Sequence, residues 1–389
     1  MSKTLSYVLV TPYTVAKSRT GGVLSRLLSR TNLELVGAQI FAADHAFAKE
    51  YADSLRRRAP QNQVMLLTDY VETHLAPSGG QPQRALLLLF RGENPCDQLL
   101  ATCGHIYTHH VGVDALSGET IRDTYADLIF APDDPEKVTH FEPAVLTPRS
   151  QKEADEDLLM MAKFLEGRGN VVQNTGCPEP GKIEQTLVII KPDNWGHHSS
   201  RPGTIIDMFS RTGLKIIGIK VHYFSLAEAM LFYGPVEAVL LEKLSPRFGR
   251  KAKEILEKEF QLTLSEESLK ILTTSFGVEC ARDQFAQVVE FMCGKRPGNY
   301  PPGELSKPGD IKCMIVIYEG VNAIKKIRDA LGSTNPNEAQ EGTVRREFGS
   351  SVMVNTAHAS DSTESYNRER EIVKAGENSL ASIIKEHLG

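Results

Sequence analysis

Thr186-Leu187-Val188-Ile189-Ile190-Lys191-Pro192 is a short apolar run, rich in β-branched residues, that stops at a proline. It reads as a strand leaving a sheet. Thr4-Leu5-Ser6-Tyr7-Val8-Leu9-Val10-Thr11-Pro12 has the same form. The likeness continues downstream. Gly203-Thr204-Ile205-Ile206-Asp207-Met208-Phe209-Ser210-Arg211-Thr212 lies beside Gly21-Gly22-Val23-Leu24-Ser25-Arg26-Leu27-Leu28-Ser29-Arg30-Thr31, and both carry apolar residues at helical spacing. Each then enters a second strand, Leu214 to Phe224 and Leu33 to Phe41, with Gly218 and Gly37 at matching places. Later, Met314 to Asn322 matches Ala85 to Asn94, and Gly342-Thr343-Val344-Arg345 matches Gly118-Glu119-Thr120-Ile121-Arg122. Shared order over this length indicates an internal duplication. The alternation of strand and helix in each copy predicts helices covering a sheet.

The 389 residues are enough for about two domains. His140 to Ser150 carries Pro143 and Pro148, Gln151 to Arg168 has apolar residues at helical spacing, and Gly169 to Gly181 reads as a linker. The expected organisation is 1–140 for the first copy, 141–182 for a helix and linker, and 183–389 for the second copy. Hydrophobic residues at 41% and charged residues at 24% exclude a wholly disordered chain, a collagen-like fibre and a coiled-coil rod. A net charge of -5 argues against a dedicated nucleic-acid binder. The longest apolar run, Ala85 to Phe90, is far short of the ~20 residues a membrane span needs. No secretory leader pattern follows Met1. Six cysteines without a CxxC pair read as reduced thiols and no zinc site. The expectation is a cytoplasmic protein.

The segment with the most chemistry is Asn355-Thr356-Ala357-His358-Ala359-Ser360-Asp361-Ser362. It follows a strand-like run, Ser350 to Val354, and precedes a helical pattern from Glu364 to Val373, with Ser360 or Asp361 as candidate caps. A histidine just before a helix N-terminus sits where backbone N–H groups favour an anion. Taken alone, such a histidine is more often structural. Its context is Lys191-Pro192-Asp193 and Gly332-Ser333-Thr334-Asn335-Pro336 ahead of Arg345.

Together these segments resemble the nucleoside diphosphate kinase family, whose hallmark is Asn-x-x-His-Gly-Ser-Asp. Here Ala359 stands where the family usually has glycine. The resemblance covers most of 183–373 and, more weakly, about 1–140. It implies an α+β protein of two ferredoxin-like domains, each an antiparallel sheet with covering helices, packed as a pseudo-dimer within one chain. Further homo-oligomerisation is left open. It also implies transfer of the γ-phosphoryl group of ATP to nucleoside diphosphates through a phosphohistidine, with Mg2+ riding on the nucleotide. His358 matches the nucleophile. Ser360 and Glu369 match the residues that support it, and Tyr233 matches a tyrosine beside it. Lys191, Arg328, Thr334 and Arg345 match phosphate contacts, and Asn355 matches a ribose contact. The base-stacking aromatic falls near Gln284, with Phe285 adjacent. Each has an ordinary structural alternative: a strand-end lysine, a core aromatic, or a solvated helix face around Glu369.

Two departures matter. In the first copy Thr11 replaces Lys191, Arg328 aligns near Leu100, and the place of His358 falls within Ala131-Pro132-Asp133-Asp134-Pro135. Arg122 persists, while His105, His109 and His110 precede it and read as structural or surface residues. The first copy is expected to be catalytically silent. In the second copy a segment of about 235–281 interrupts the pattern after Tyr233 and reads as a helical subdomain. Gly294 to Asp310 reads as a loop, and Trp195, His197 and His198 as residues of a surface loop. The alternative is a silent nucleotide-binding or scaffold protein of the same fold.

Overall fold

The computed structural model describes residues 3–58, 61–106, 118–176, 181–377 and 379–389. His109 and His110 lie outside the described residues.

The chain begins with β1 (Thr4–Val10), α1 (Pro12–Ala16), α2 (Thr20–Arg30), β2 (Glu34–Ala42), α3 (His45–Arg56), α4 (Gln61–Tyr70), β3 (Arg84–Gly92) and α5 (Pro95–Cys103). After these come α6 (Ile121–Tyr125), a hairpin of β4 (Asp127–Ala131) and β5 (Asp134–Glu142), β6 (Val145–Leu146) and α7 (Gln151–Leu165). The first sheet has the order β2-β3-β1-β6 with antiparallel neighbours. β1 is buried along nearly its whole length, which is why it reads as a continuous apolar run rather than an alternating one.

The second half brings β7 (Ile183–Ile190), α8 (Arg201–Ser210) and β8 (Lys215–Ser225), then α9 (Leu226–Phe260), α10 (Glu266–Leu272), α11 (Val278–Cys293) and α12 (Pro302–Leu305). β9 (Pro308–Val321), α13 (Ala323–Leu331), α14 (Val344–Phe348), β10 (Ala357–Ala359), α15 (Thr363–Ile372) and α16 (Leu380–Leu388) complete it. The second sheet runs β10-β7-β9-β8, and β7 is antiparallel to both of its neighbours. Both sheets therefore place their first strand at the centre between the third and the last, the ferredoxin-type arrangement of an α+β fold.

Register aligns the two sheets residue by residue. Leu146 faces Leu9 as His358 faces Ile189. The first-copy counterpart of His358 is thus Leu146 and not a residue of 131–135. Residues 131–135 fall short of that place because the hairpin β4–β5 lengthens the first copy ahead of its last strand. The first sheet consequently reaches past residue 140, through β6 and on to α7.

The two sheets meet through α2 and α8, whose glycines permit close approach. A Cβ on Gly203 would lie 2.3 Å from Ser25 N and 2.4 Å from Gly21 O. Ser25 Oγ donates to Ser200 O at 3.0 Å. The linker adds a bridge from Val171 to Gly218, and Val172 N donates to Ile217 O at 2.9 Å. α16 returns to the first half, where Leu380 and Ile384 join Leu158 and Met161 in one core.

His222 to Cys313 form a compact unit of their own, wider than the interval expected from sequence. Within it α9 continues without a break through Tyr233, Pro235 and Pro246. Proline normally ends a helix because it lacks the N–H and crowds the preceding turn. Here α9 lies along α11, and that packing holds the helix together across both prolines. Ser225 caps α9 in a reciprocal box with Glu228, as the motif requires. The interval 294–310 is not wholly loop, since it holds α12 and the start of β9.

Candidate active site

β7 ends at Ile190, and Lys191 opens a short 3-10 turn, Pro192–Asn194. Lys191 N donates to Thr356 O at 2.9 Å, and Asn194 Nδ2 donates to the same carbonyl at 2.8 Å. These bonds tie the end of β7 to the segment leading into β10. Thr356 adopts φ 74° while fully buried. A β-branched residue in the left-handed region is strained, and such strain collects at functional sites. Arg201 from the first turn of α8 supports it, reaching Thr356 Oγ1 at 3.1 Å, Phe348 O at 2.6 Å and Asp193 Oδ2 at 3.2 Å. Burial pushes the Asp193 carboxyl up, while Arg201 and Lys191 pull it back down.

A polar cluster grows from this anchor. Lys191 Nζ donates to Asn355 Oδ1 at 2.7 Å. Asn355 Nδ2 donates to Val352 O at 2.7 Å and Thr334 O at 3.1 Å. Arg345 donates to Gly332 O at 3.1 Å and to Ala357 O at 3.0 Å, and its NH1 lies 3.5 Å from Thr334 Oγ1. Gly332 turns the chain after α13 with φ 86°, and a Cβ there would strike Thr343 Oγ1 at 2.4 Å. The turn sets Thr334 beside Arg345. Arg328 is exposed on α13. A hydroxyl bond from Ser365, with help from the charge of Arg328, holds the Asp361 carboxyl below its ordinary range.

His358 occupies the middle of β10, and its ring is 23% exposed.

 Its Nε2 lies 3.0 Å from Glu369 Oε1. Glu369 comes from α15 and is buried, 3% exposed. Its other oxygen accepts from the buried Ser360 hydroxyl at 2.6 Å. Arg368 stands 3.5 Å from Glu369 Oε1. The helix is capped by Ser362, which accepts from Ser365 N, and not by Ser360 or Asp361. Ser360 is instead committed to Glu369. The run Ser350 to Val354 forms bends rather than a strand, and the strand is the segment that holds His358 itself.

The structure brings Lys191, Asn355, Thr334 and Arg345 into one network and His358, Ser360 and Glu369 into another, with Ala357 O linking Arg345 to the histidine's own strand. Tyr233 and Phe285 belong to the helical unit, where both are buried. Tyr233 packs on Phe232 with ring centroids 5.0 Å apart. Trp195 donates to Ile190 O at 3.3 Å, while His197 and His198 are exposed. Sequence reasoning missed Arg201, Asn194 and Thr356. The adjacency of Asn194 to the Lys191-Pro192-Asp193 segment was the available signal. Arg201 carried none, because two of its partners, Phe348 and Thr356, are distant in sequence.

The first copy keeps the frame of this site and fills its interior. Thr11 N donates to Ala144 O at 3.1 Å, and Ala144 has φ 60°, as Lys191 and Thr356 do in the second copy. Arg122 donates to Gly104 O and to Val145 O, mirroring Arg345. Asp157 follows the cap Ser150 at the interval by which Glu369 follows Ser362. It is occupied by Tyr7 at 2.8 Å, Ser54 at 3.1 Å and Arg58 at 2.7 Å. Glu142 accepts from Thr11 at 2.6 Å, from Ala144 N at 2.9 Å and from Tyr70. Burial pushes its carboxyl up despite these bonds. A buried carboxyl at that place opposes entry of a phosphate. Among the described residues, no three His, Cys, Asp or Glu side chains converge as a metal cage. No helix of the described residues is long and apolar enough to cross a membrane.

The family model for nucleoside diphosphate kinase matches residues 305–377, the part that carries Arg328, Arg345, His358 and Glu369. The nucleoside diphosphate kinase of Chlamydia trachomatis serovar L2 is 30% identical over 182 residues, covering 47% of this chain and 86% of the relative. That of Chlamydia muridarum is also 30% identical over 182 residues, with the same coverage. Among solved structures, a nucleoside diphosphate kinase from Pyrobaculum aerophilum shares 25% identity with a TM-score of 0.33, covering 49% of this chain and 95% of that one. The chain belongs to the nucleoside diphosphate kinase family.

Proposed function

We propose that the second copy is a nucleoside diphosphate kinase site and that His358 carries the phosphoryl group. The observation that carries this reading is the pair of joined networks: a histidine beside Glu369, whose carboxylate Ser360 holds, and the cluster of Lys191, Asn355, Thr334 and Arg345. Glu369 favours the tautomer with the proton on Nε2, so Nδ1 bears the lone pair. That lone pair attacks the γ-phosphorus of a nucleoside triphosphate. The P–N bond forms as the bond to the β-phosphate oxygen breaks, and the nucleoside diphosphate leaves. An acceptor diphosphate then attacks the same phosphorus through a terminal oxygen, the P–N bond breaks, and its electron pair returns to Nδ1.

Phosphoryl transfer relies on positioning and charge neutralisation. Lys191, Arg328 and Arg345 supply positive charge, Thr334 a hydroxyl, and Asn355 a contact to the ribose. Mg2+ enters as part of the nucleotide substrate, with phosphate oxygens and water as its ligands. Roles for Tyr233 beside the histidine and for Phe285 at the base rest on the family resemblance. The first copy is a silent partner of the same fold, derived by tandem duplication. Free thiols at Cys96, Cys103, Cys280, Cys293 and Cys313 accord with a reducing cytoplasm.

The test is exchange of phosphate between ATP and GDP, measured as GTP formed while each substrate is varied. Parallel double-reciprocal lines support a phosphoenzyme. Intersecting lines would contradict it. A silent nucleotide-binding protein is the second reading, favoured by the burial of Phe285. It requires ADP binding with no GTP formed.

A further inference from the structure

A cavity of about 300 Å3 lies where the two sheets meet, between the α1–α2 segment of the first half and the end of α8 and start of β8 in the second. Its lining includes Thr20, Arg84, Lys215 and Tyr318. Thr20 and Tyr318 are 2% and 1% exposed, and neither the Thr20 hydroxyl nor the Tyr318 phenol has a hydrogen-bond partner. Two buried hydroxyls without partners, both in the lining of one cavity, are costly unless something there completes them.

The charge at this place is positive. Arg84 donates to Ile216 O, and Lys215 Nζ donates to Thr175 O at 2.7 Å and to Gly176 O. Burial pushes the Arg84 guanidinium down to about 10, and the carboxylate of Glu319 acts against that shift. Glu319 is itself engaged by Thr175 Oγ1 and Gln185 Nε2, each at 2.7 Å. The two cations thus outnumber the one nearby carboxylate. α2 begins at Thr20, and its N-cap residue, Arg19, makes no side-chain capping bond. An uncapped helix start adds donors and a favourable dipole for negative charge.

We infer that this seam between the two halves is a binding site for a small oxyanion, held by the Thr20 and Tyr318 hydroxyls and neutralised by Arg84 and Lys215. The site is separate from the His358 cluster in its residues, and the inference does not rest on the proposed phosphotransfer. Because the two hydroxyls come from different halves, a bound oxyanion would bridge them.

The experiment uses the full chain with inorganic phosphate or acetate, against chloride at equal ionic strength. The readout is hydrogen exchange in peptides covering 12–24 and 210–216. Phosphate-dependent protection there supports a phosphate-bearing ligand, and protection by acetate as well supports the broader oxyanion class. No protection beyond chloride overturns the inference. Thr20→Val and Tyr318→Phe remove only the hydroxyls. Each is expected to weaken the protecting anion by roughly tenfold or more, as for a lost hydrogen bond to a charged group. Neither is expected to lower the melting temperature of the anion-free protein, since no native partner is lost. Unchanged anion affinity in both variants would assign the protection to another site and overturn the inference. Activity in the ATP–GDP exchange assay is read in parallel, so failure here is distinguishable from failure of the catalytic proposal.

Discussion

Replacing Glu369 by alanine or by glutamine separates a positioning role from a structural one. The carboxylate lies 3.0 Å from His358 Nε2 and accepts from Ser360 Oγ at 2.6 Å. Glu369→Ala removes both contacts and leaves the Ser360 hydroxyl with Leu187 O at 3.4 Å. A hydrogen bond to a charged group contributes about 1.5–3 kcal/mol. At about 1.4 kcal/mol per tenfold, the expected loss in the rate of phosphoenzyme formation is on the order of 10- to 150-fold. Glu369→Gln has a different consequence. Its single amide oxygen can take the Ser360 hydroxyl, and its NH2 then faces His358 Nε2. The ring nitrogen must accept, so the proton moves to Nδ1 and the attacking lone pair is lost. The glutamine variant is therefore expected to be slower than the alanine variant while unfolding at a higher temperature. The assay is a rapid-quench single turnover with γ-labelled ATP, alongside thermal unfolding. A glutamine variant faster than the alanine variant would refute the tautomer argument. Wild-type rates in both would remove Glu369 from the mechanism altogether.

Gly203→Ala is expected to destabilise the protein by about 1–3 kcal/mol, the usual cost of overpacking, because the new Cβ would meet backbone atoms of α2. A lower melting temperature tests this, and an unchanged one would show that the α2–α8 contact relaxes freely. Burial raises the Glu142 carboxyl, so the stability that group contributes is full below its ordinary value of 4.5 and is lost as pH rises through the folded value. The wild type should thus lose stability relative to Glu142→Gln as pH increases from about 4 to about 8; a relative gain would contradict the assignment. Leu146→His places an imidazole at the first-copy counterpart of His358. In a His358→Ala background it should acquire no acid-labile label, because Asp157 is committed to Tyr7, Ser54 and Arg58 and the carboxylate of Glu142 is bonded to Thr11, the counterpart of Lys191. Label at that residue would show the first copy to be only one substitution from activity.

The repeat of strand, helix and strand was legible because Thr4 to Pro12 and Thr186 to Pro192 are buried central strands with little room for polar residues. The register of the last strand was not. β6 is two residues long, and nothing in Val145-Leu146 marks it as a partner of β1. α9 runs whole through Pro235 and Pro246, against local propensity, because it packs along α11. At the site, residue types near His358 were readable from sequence, but the Arg201 support of Thr356 depends on partners far apart along the chain. The left-handed backbone at Thr356 runs against its β-branched side chain, so sequence preference pointed away from it. The seam cavity was likewise invisible, because Thr20 and Tyr318 become neighbours only through the packing of the two halves.

The central claim is that His358 is the residue that carries the phosphoryl group. The most direct measurement is to incubate the full chain with γ-labelled ATP and Mg2+, map the modified residue by mass spectrometry at neutral to alkaline pH, and repeat with His358→Ala. The account predicts an acid-labile phosphate on His358 that is discharged by GDP and absent from the variant. No label on the wild type, or label that persists in His358→Ala, would contradict it.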